Sequence, residues 1–314
     1  MYIYKVIIFL LLNAFGHSSQ ICSVSSSERP LINTLVQMLL QRVEDDSVDS
    51  DPAAFIALRL ARQHNLRAEQ SFRERLKATA IRKVTQGEDL PIGSTALYIL
   101  AFRSSCLNPA SISDGQNHID LVKLLEDKLN KKIQSLESKG HPLTDTYQIS
   151  LGVLALCIEK QQVSDSIVQN ITDRAKRRQD PFGEPLSVDR ASMSILALNC
   201  LHRSNLSIIP KHHIEQAIMR LLLGILAEQQ QDGTIGTIYS TALAVQALFE
   251  NKQEEFHVFQ CSHNLQRLIS EIPKGTFNTV QKVFPLIPTL EGRSLLHVGD
   301  LTCTSDQDNL PQSK

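Results

Sequence analysis

The chain has 314 residues, 42% of them hydrophobic and 21% charged, which is enough apolar material for one large core or two modest ones. Its 32 basic and 33 acidic side chains leave a formal charge of −1, and no basic stripe interleaved with aromatics is present to track a phosphate backbone. Nucleic acid is therefore not an expected partner.

The first residues, MYIYKVIIFLLLNAFGHSSQ, combine Lys5, an apolar run from Val6 to Phe15 and small or polar residues around Gly16 to Ser19. This is the pattern of a secretory signal peptide over 1–19, since an apolar run this short falls below the roughly 20 residues of a membrane span. No later segment is long enough to span either. An oxidising compartment turns six widely spaced cysteines, Cys22, Cys106, Cys157, Cys200, Cys261 and Cys303, into a disulfide framework. Their spacing excludes CxxC redox or zinc sites, and the fifteen possible connectivities cannot be ranked from spacing. Two sequons, at Asn170 and Asn205, agree with passage through a secretory route as glycosylation sites.

From the acidic loop VEDDSVDSD onward, one apolar phrase recurs: AAFIALRLA from Ala53, TALYILAFR from Thr95, SLGVLALCI from Ser150, SMSILALNCL from Ser192 and TALAVQALF from Thr241. The Ala-Leu or Ala-Phe pairs at their centres begin at Ala57, Ala101, Ala155, Ala197 and Ala247, at intervals of 44, 54, 42 and 50 residues. A sixth, degenerate copy is VQKVFPLIPTL, ending at Leu290. These phrases are apolar nearly all round and suit buried helices. The intervening segments, such as HIDLVKLLEDKLNKKIQSLESKG and HHIEQAIMRLLLGILAEQQQ, carry their charges on one face and suit outer helices. Two helices per repeat and six repeats predict an all-α fold, an α/α barrel of six helix pairs over residues 20–303, followed by a polar tail at 304–314. An open HEAT-like solenoid is the alternative that the same periods allow.

In such a ring the connections into the inner helices gather at one rim, where free backbone N–H groups and positive helix ends face a ligand. Those connections read DLPIGST, HPLTDTYQ, EPLSVDRAS, GTIGTIYST and PKGTFNTV. Their Ser, Thr and Asp residues serve either as ligand contacts or as ordinary helix caps. Paired catalytic carboxylates, nucleophile elbows, HExxH, P-loop and dinucleotide signatures are all missing, as are the DxDD and DDxxD runs of terpene cyclases and the Gly-Cys-Gly-Glu-Gln motif of complement thioester domains. Adjacent His212 and His213 would point about 100° apart on a helix, a poor metal pair, so no metal site is expected.

The stretches TDTYQISLGVLALC, SVDRASMSILALNCLHRSN, GTIYSTALAVQALF and PLIPTLEGRSLLHVGDLTC closely resemble the cobalamin carriers, the family of transcobalamin, intrinsic factor and haptocorrin. The resemblance runs from about Cys22 to Cys303. It implies disulfides Cys22 with Cys261, Cys106 with Cys303 and Cys157 with Cys200. It also implies a secreted, non-enzymatic carrier of cobalamin, monomeric and served by a cell-surface uptake receptor. Cobalamin is a flat macrocycle fringed with amides, which asks for dispersed donors and acceptors rather than one charged clamp. The resemblance places such contacts at Ser94, Thr144, Tyr147, Asp189, Thr237 and Tyr239. In GTIGTIYST, Ser240 or Thr241 is assigned to capping and Thr237 with its backbone to ligand.

Three departures qualify what the resemblance implies. Leu186 stands where transcobalamin has a histidine able to ligate cobalt. Thr237 and Ser94 stand where its pattern has asparagine and glutamine. Family members also continue into a β-rich domain that closes over the ligand, whereas TCTSDQDNLPQSK reads as the start of the interdomain linker. The alternative reading is therefore a secreted interaction or decoy protein that kept the barrel without useful cobalamin binding. An α/α-barrel hydrolase or lyase is a third reading, without a recognisable catalytic group to support it.

Overall fold

The computed structural model describes residues 22–44, 50–139, 146–177, 186–204, 206–251 and 259–310. The leader, Thr144, Asn205 and the last four residues lie outside this set. Helices alternate between two layers in chain order. α1 (Arg29–Glu44), α3 (Leu66–Thr85), α5 (Leu121–Lys139), α7 (Asp165–Arg177), α9 (Lys211–Ala227) and α11 (Cys261–Glu271) form the outer set. The inner set is α2 (Pro52–Leu60), α4 (Ile92–Ser104), α6 (Thr146–Ile158), α8 (Val188–Arg203), α10 (Ile238–Phe249) and the pair α12 (Val280–Val283) and α13 (Leu286–Leu290).

The two layers differ as their sequence patterns require. In α6 every residue from Ile149 to Ile158 is buried, and in α10 every residue from Ser240 to Phe249. A helix that is apolar all round can be stable only with neighbours on all sides. In α7, by contrast, the buried residues Ile167, Val168, Ile171, Thr172, Arg174 and Ala175 fall on one face.

Each inner helix packs on the next, from α2 through α4, α6, α8 and α10 to α13, and α13 packs back on α2. That last contact closes the ring and sets aside the open solenoid. The sixth inner position is divided because Pro285 and Pro288 each remove a backbone donor from the helix. Buried Gln246 of α10 repairs this weak joint by donating from Nε2 to the Pro285 carbonyl (2.8 Å) and to Thr289 Oγ1 (3.1 Å), while its Oε1 accepts from Leu295 N (3.1 Å). Thr289 Oγ1 in turn donates to the Ala242 carbonyl at 2.8 Å.

One element departs from the sequence pattern. His118 and Ile119, which the amphipathic period assigns to an outer helix, instead pair with Ser113 and Ile112 in a short antiparallel hairpin, β1 (Ile112–Ser113) and β2 (His118–Ile119). Asp114 Oδ1 accepts from the backbone N–H groups of Gln116 (2.9 Å) and Asn117 (2.7 Å), a local turn that competes with helix initiation. The helix begins only after Asp120, whose carboxylate accepts from Lys123 N at 2.9 Å.

The cysteines pair as Cys22–Cys261, Cys106–Cys303 and Cys157–Cys200, the connectivity implied by the family resemblance. The first ties the N-terminal segment to α11, and the last joins the C-terminal ends of neighbouring inner helices. The second holds the C-terminal segment, read as the start of a linker, against the barrel. Beyond it, Asp306 accepts from the Arg59 guanidinium (2.5 Å), and Asn309 N and Leu310 N both donate to the His64 carbonyl (3.1 and 3.0 Å). Arg59 is buried, and Glu69 at 2.8 Å together with the Ser104 carbonyl at 3.0 Å completes its neutralisation. Residues 306–310 thus lie on the barrel through three kinds of contact: Asp306 on the buried Arg59, Asn309 on His64, and the buried side chain of Leu310 in the core.

Candidate functional site

The N-terminal ends of the inner helices share one rim. α2 is capped by Asp51, whose Oδ1 accepts from Ala53 N at 2.9 Å and whose burial raises its pKa despite that bond. Gln281, at the start of α12, reaches Asp51 Oδ2 at 3.5 Å, so the first and last repeats meet at this rim too. α8 is capped by Ser187 and carries Asp189 in its first turn, where a carboxylate is favoured by the helix dipole.

The GTIGTIYST loop is rigid for reasons visible residue by residue. Gly233 has φ +88°, and a Cβ there would lie 2.9 Å from the His263 carbonyl oxygen. Gly236 has φ +66°, and its Cβ would lie 2.7 Å from Val188 Cγ2. Both glycines are required by backbone conformation and by close approach together. Gln230 clamps the loop through its backbone N–H to the Thr234 carbonyl (2.8 Å) and its Nε2 to the Gly236 carbonyl (2.8 Å). Asp232 accepts from Thr234 N, which holds its carboxyl below the usual range, and from Arg267 Nε at 3.0 Å.

Thr237 and Ser240 form a reciprocal capping box for α10. Thr237 Oγ1 accepts from Ser240 N (3.1 Å), and Thr237 N donates to Ser240 Oγ (2.8 Å). Ser240 caps as expected, but Thr237, assigned to ligand, is the N-cap residue itself. The extended backbone of Thr237 at φ −115° and ψ 164° makes it the residue whose hydroxyl can reach the orphan amide. Thr241 is engaged as well, accepting from Ile235 N (2.9 Å) and donating to the Thr237 carbonyl (2.7 Å). Thr237 is nevertheless exposed at the rim.

The other expected contacts fall on the same edge. Ser94 sits half-buried in the first turn of α4, and Tyr147 is the second residue of α6, packed against the core. A Cβ on Gly93 would touch Gln148 Cγ at 3.3 Å, so the two helix starts abut. The Gly236–Val188 approach does the same for Asp189 and Thr237. Tyr239 is 44% exposed, with its ring edge-on to Phe277 at 6.3 Å and Lys282 Nζ over its face at 4.8 Å. Thr144 lies outside the described residues. Phe277 and Lys282 were not singled out from sequence, because no spacing rule links a Tyr-Ser-Thr turn to residues some 40 positions further on. Leu186 is half-buried and packed on the core, so that position provides no lone pair for a metal.

Among the described residues no group of three or more His, Cys, Asp or Glu side chains could hold a metal ion, and no helix is long and apolar enough to cross a membrane. The rings of His212 and His213 lie tilted at 57° to each other, with centroids 4.2 Å apart.

The profile of eukaryotic cobalamin-binding proteins matches residues 4–314. Cobalamin binding intrinsic factor of Homo sapiens is 28% identical over 301 residues, which cover 92% of this chain and 65% of that protein. Transcobalamin-2 of Bos taurus is 28% identical over 94% of this chain and 71% of its own length. Transcobalamin-1 of Homo sapiens is 30% identical over 96% and 70% respectively. The chain thus spans about two thirds of the length of these relatives. A crystal structure of haptocorrin in complex with Cbi shares the fold, with a TM-score of 0.71 over 91% of this chain and 72% of that one at 23% identity. On the profile match and these relatives, the chain belongs to the eukaryotic cobalamin-binding protein family.

Proposed function

We propose that this chain is a secreted, non-enzymatic carrier that binds cobalamin at the rim formed by the N-terminal ends of its inner helices. The observation that carries the proposal is the convergence of separate rim loops, with the starts of α8 and α10 in contact through Val188 and Gly236 and those of α4 and α6 through Gln148 and Gly93. That convergence sets Asp189, Thr237, Ser94 and Tyr147 along one edge, interleaved with apolar wall. A flat, amide-fringed macrocycle is recognised by such scattered polar groups around an apolar face. Asp189 supplies a carboxylate acceptor, Tyr239 an exposed ring, and Thr237 the fixed start of α10, which its hydroxyl and backbone cap at the rim. Thr144 belongs to the proposal through the family resemblance. Uptake by a cell-surface receptor and a monomeric state are further parts of the same reading.

Equilibrium dialysis of the secreted, oxidised chain against labelled cobalamin tests this, with and without a separately supplied β domain from a relative. Saturable one-to-one binding is expected, and Asp189→Ala should weaken it about tenfold or more, as loss of a hydrogen bond to a charged group implies. A helical, folded chain that binds cobalamin in neither arm would overturn the carrier reading and favour an interaction or decoy protein.

A further inference from the structure

The three disulfides sit in different surroundings. Cys157 and Cys261 are buried in the apolar core, and their partners Cys200 and Cys22 pack against it. A thiolate leaving either of those bridges would be stranded among hydrocarbon, which disfavours the charged form. Cys106 is exposed and Cys303 half-buried, and neither belongs to that core. Cys303 also lines a cleft of about 190 Å³ together with Arg59, Gln70, Arg73 and Asp306, so its surroundings are polar and open to water.

Donors are aimed at both sulfurs of this bridge. Cys303 N donates to Cys106 Sγ at 3.1 Å, and Arg59 Nη2 donates to Cys303 Sγ at 3.7 Å. The charge of Arg59 already answers Glu69 and Asp306, so what it offers the sulfur is a directed N–H rather than a free cation. Cys106 follows the C-terminal end of α4, where the last carbonyls of the helix repel a thiolate. It closes that helix with a left-handed backbone at φ +61°, a conformation that suits glycine better. The exposed sulfur is thus the one that a reagent from solvent meets, and the sheltered one is better placed to leave with the electron pair.

We propose that Cys106–Cys303 is a thiol–disulfide exchange site, opened selectively by a small dithiol. One thiolate of the dithiol attacks Cys106 Sγ, a sulfur–sulfur bond forms there as the bond to Cys303 breaks, and Cys303 Sγ departs as a thiolate onto the Arg59 N–H. The second thiol loses its proton to water, displaces Cys106 Sγ and closes the oxidised dithiol into a cyclic disulfide. Two electrons and, by way of water, two protons pass from the dithiol to the cysteine pair. Opening the bridge leaves the barrel folded, because Asp306, Asn309 and Leu310 still hold the residues that follow on Arg59, His64 and the core. The site lies at the C-terminal end of an inner helix, away from the rim, and does not rest on the cobalamin reading.

The test treats the whole oxidised chain with dithiothreitol near neutral pH, quenches with iodoacetamide and maps the labelled cysteines by peptide mass spectrometry while circular dichroism follows helicity. Cys106 and Cys303 should be alkylated at least about tenfold faster than the other four cysteines, with the helical signal retained. Glutathione, a monothiol, should stop at the mixed disulfide and be found on Cys106. Arg59→Lys keeps the charge but removes the forked donor, and should spread the adduct over both cysteines. Should that variant fail to fold, the position of the adduct in the native chain decides the direction of attack. Reduction of all three bridges at equal rates, or of this one only as helicity is lost, would overturn the proposal, and an adduct on Cys303 alone would overturn the assigned order of steps.

Discussion

Gly236 approaches Val188 so closely that a Cβ on the glycine would lie 2.7 Å from Val188 Cγ2, which binds the loop before α10 to the first turn of α8. Any side chain at position 236 must therefore displace the wall on which Asp189 is mounted. With φ at +66°, alanine adds backbone strain to the clash. Gly236→Ala is expected to cost about 2–4 kcal/mol, from strain and overpacking together. Thermal unfolding followed by circular dichroism should fall by several degrees, and an unchanged midpoint would show that the loops are not tightly joined.

Thr237 illustrates how a rim residue can matter without its side chain touching ligand. Thr237→Ala removes the cap acceptor and is expected to cost about 1 kcal/mol, whereas Thr237→Ser keeps the hydroxyl and should cost little. If cobalamin affinity follows the same order, the effect travels through the start of α10. Equal affinity losses in both variants, measured by dialysis, would instead point to a role for the threonine methyl group.

Arg59 is expected to be among the most sensitive residues outside the rim. Its side chain is 4% exposed and faces Glu69 and Asp306, so Arg59→Met leaves two carboxylates facing each other in a buried place. A loss of roughly 3–5 kcal/mol is expected in urea unfolding. Because Asp306 loses its cation, protease access at residue 306 should also rise in the variant, while the His64 carbonyl keeps Asn309 and Leu310 in place, and full protection at residue 306 would contradict the assignment.

Glu271 predicts a pH dependence. Lys274, Thr276 and Arg267 all donate to its carboxylate and lower its pKa from 4.5 to about 2. The folded pKa lies below the unfolded one, so the charged form stabilises the folded state. This contribution is fully present above pH 4.5 and is lost as the pH falls toward 2. Denaturation midpoints between those values should decline in the native chain and decline less in Glu271→Gln. Parallel curves would show that these contacts add nothing.

The Cys157–Cys200 bridge spans 43 positions, and the loop-entropy estimate gives it about 4 kcal/mol as an upper value. The double variant Cys157→Ser, Cys200→Ser is expected to fold with a midpoint lowered by that order, read in guanidinium. A fully native midpoint would mean that packing of α6 on α8 alone holds the pair.

Much of this architecture is legible in the chain without coordinates. All-round apolarity from Ile149 to Ile158 and from Ser240 to Phe249 marks inner helices, and the one-sided pattern of Ile167, Val168 and Ile171 marks an outer one, because period and burial follow directly from residue type. The rim loops, too, are recognisable by their Ser, Thr and Asp content. What those hydroxyls do is not, since Thr237 and Ser240 exchange cap bonds only once the backbone at 237 is extended.

Local chemistry thus determined the helices, their repeat and the polar character of one rim. Tertiary structure alone decided that α13 closes on α2, that Gly236 meets Val188, that Tyr239 lies beside Phe277 and Lys282, and that Asp306 returns to Arg59 across 247 positions. The physical reason is that periodicity reports which face of an element is buried, whereas a contact between distant loops depends on the summed rotations of every repeat between them and leaves no periodic trace in either segment.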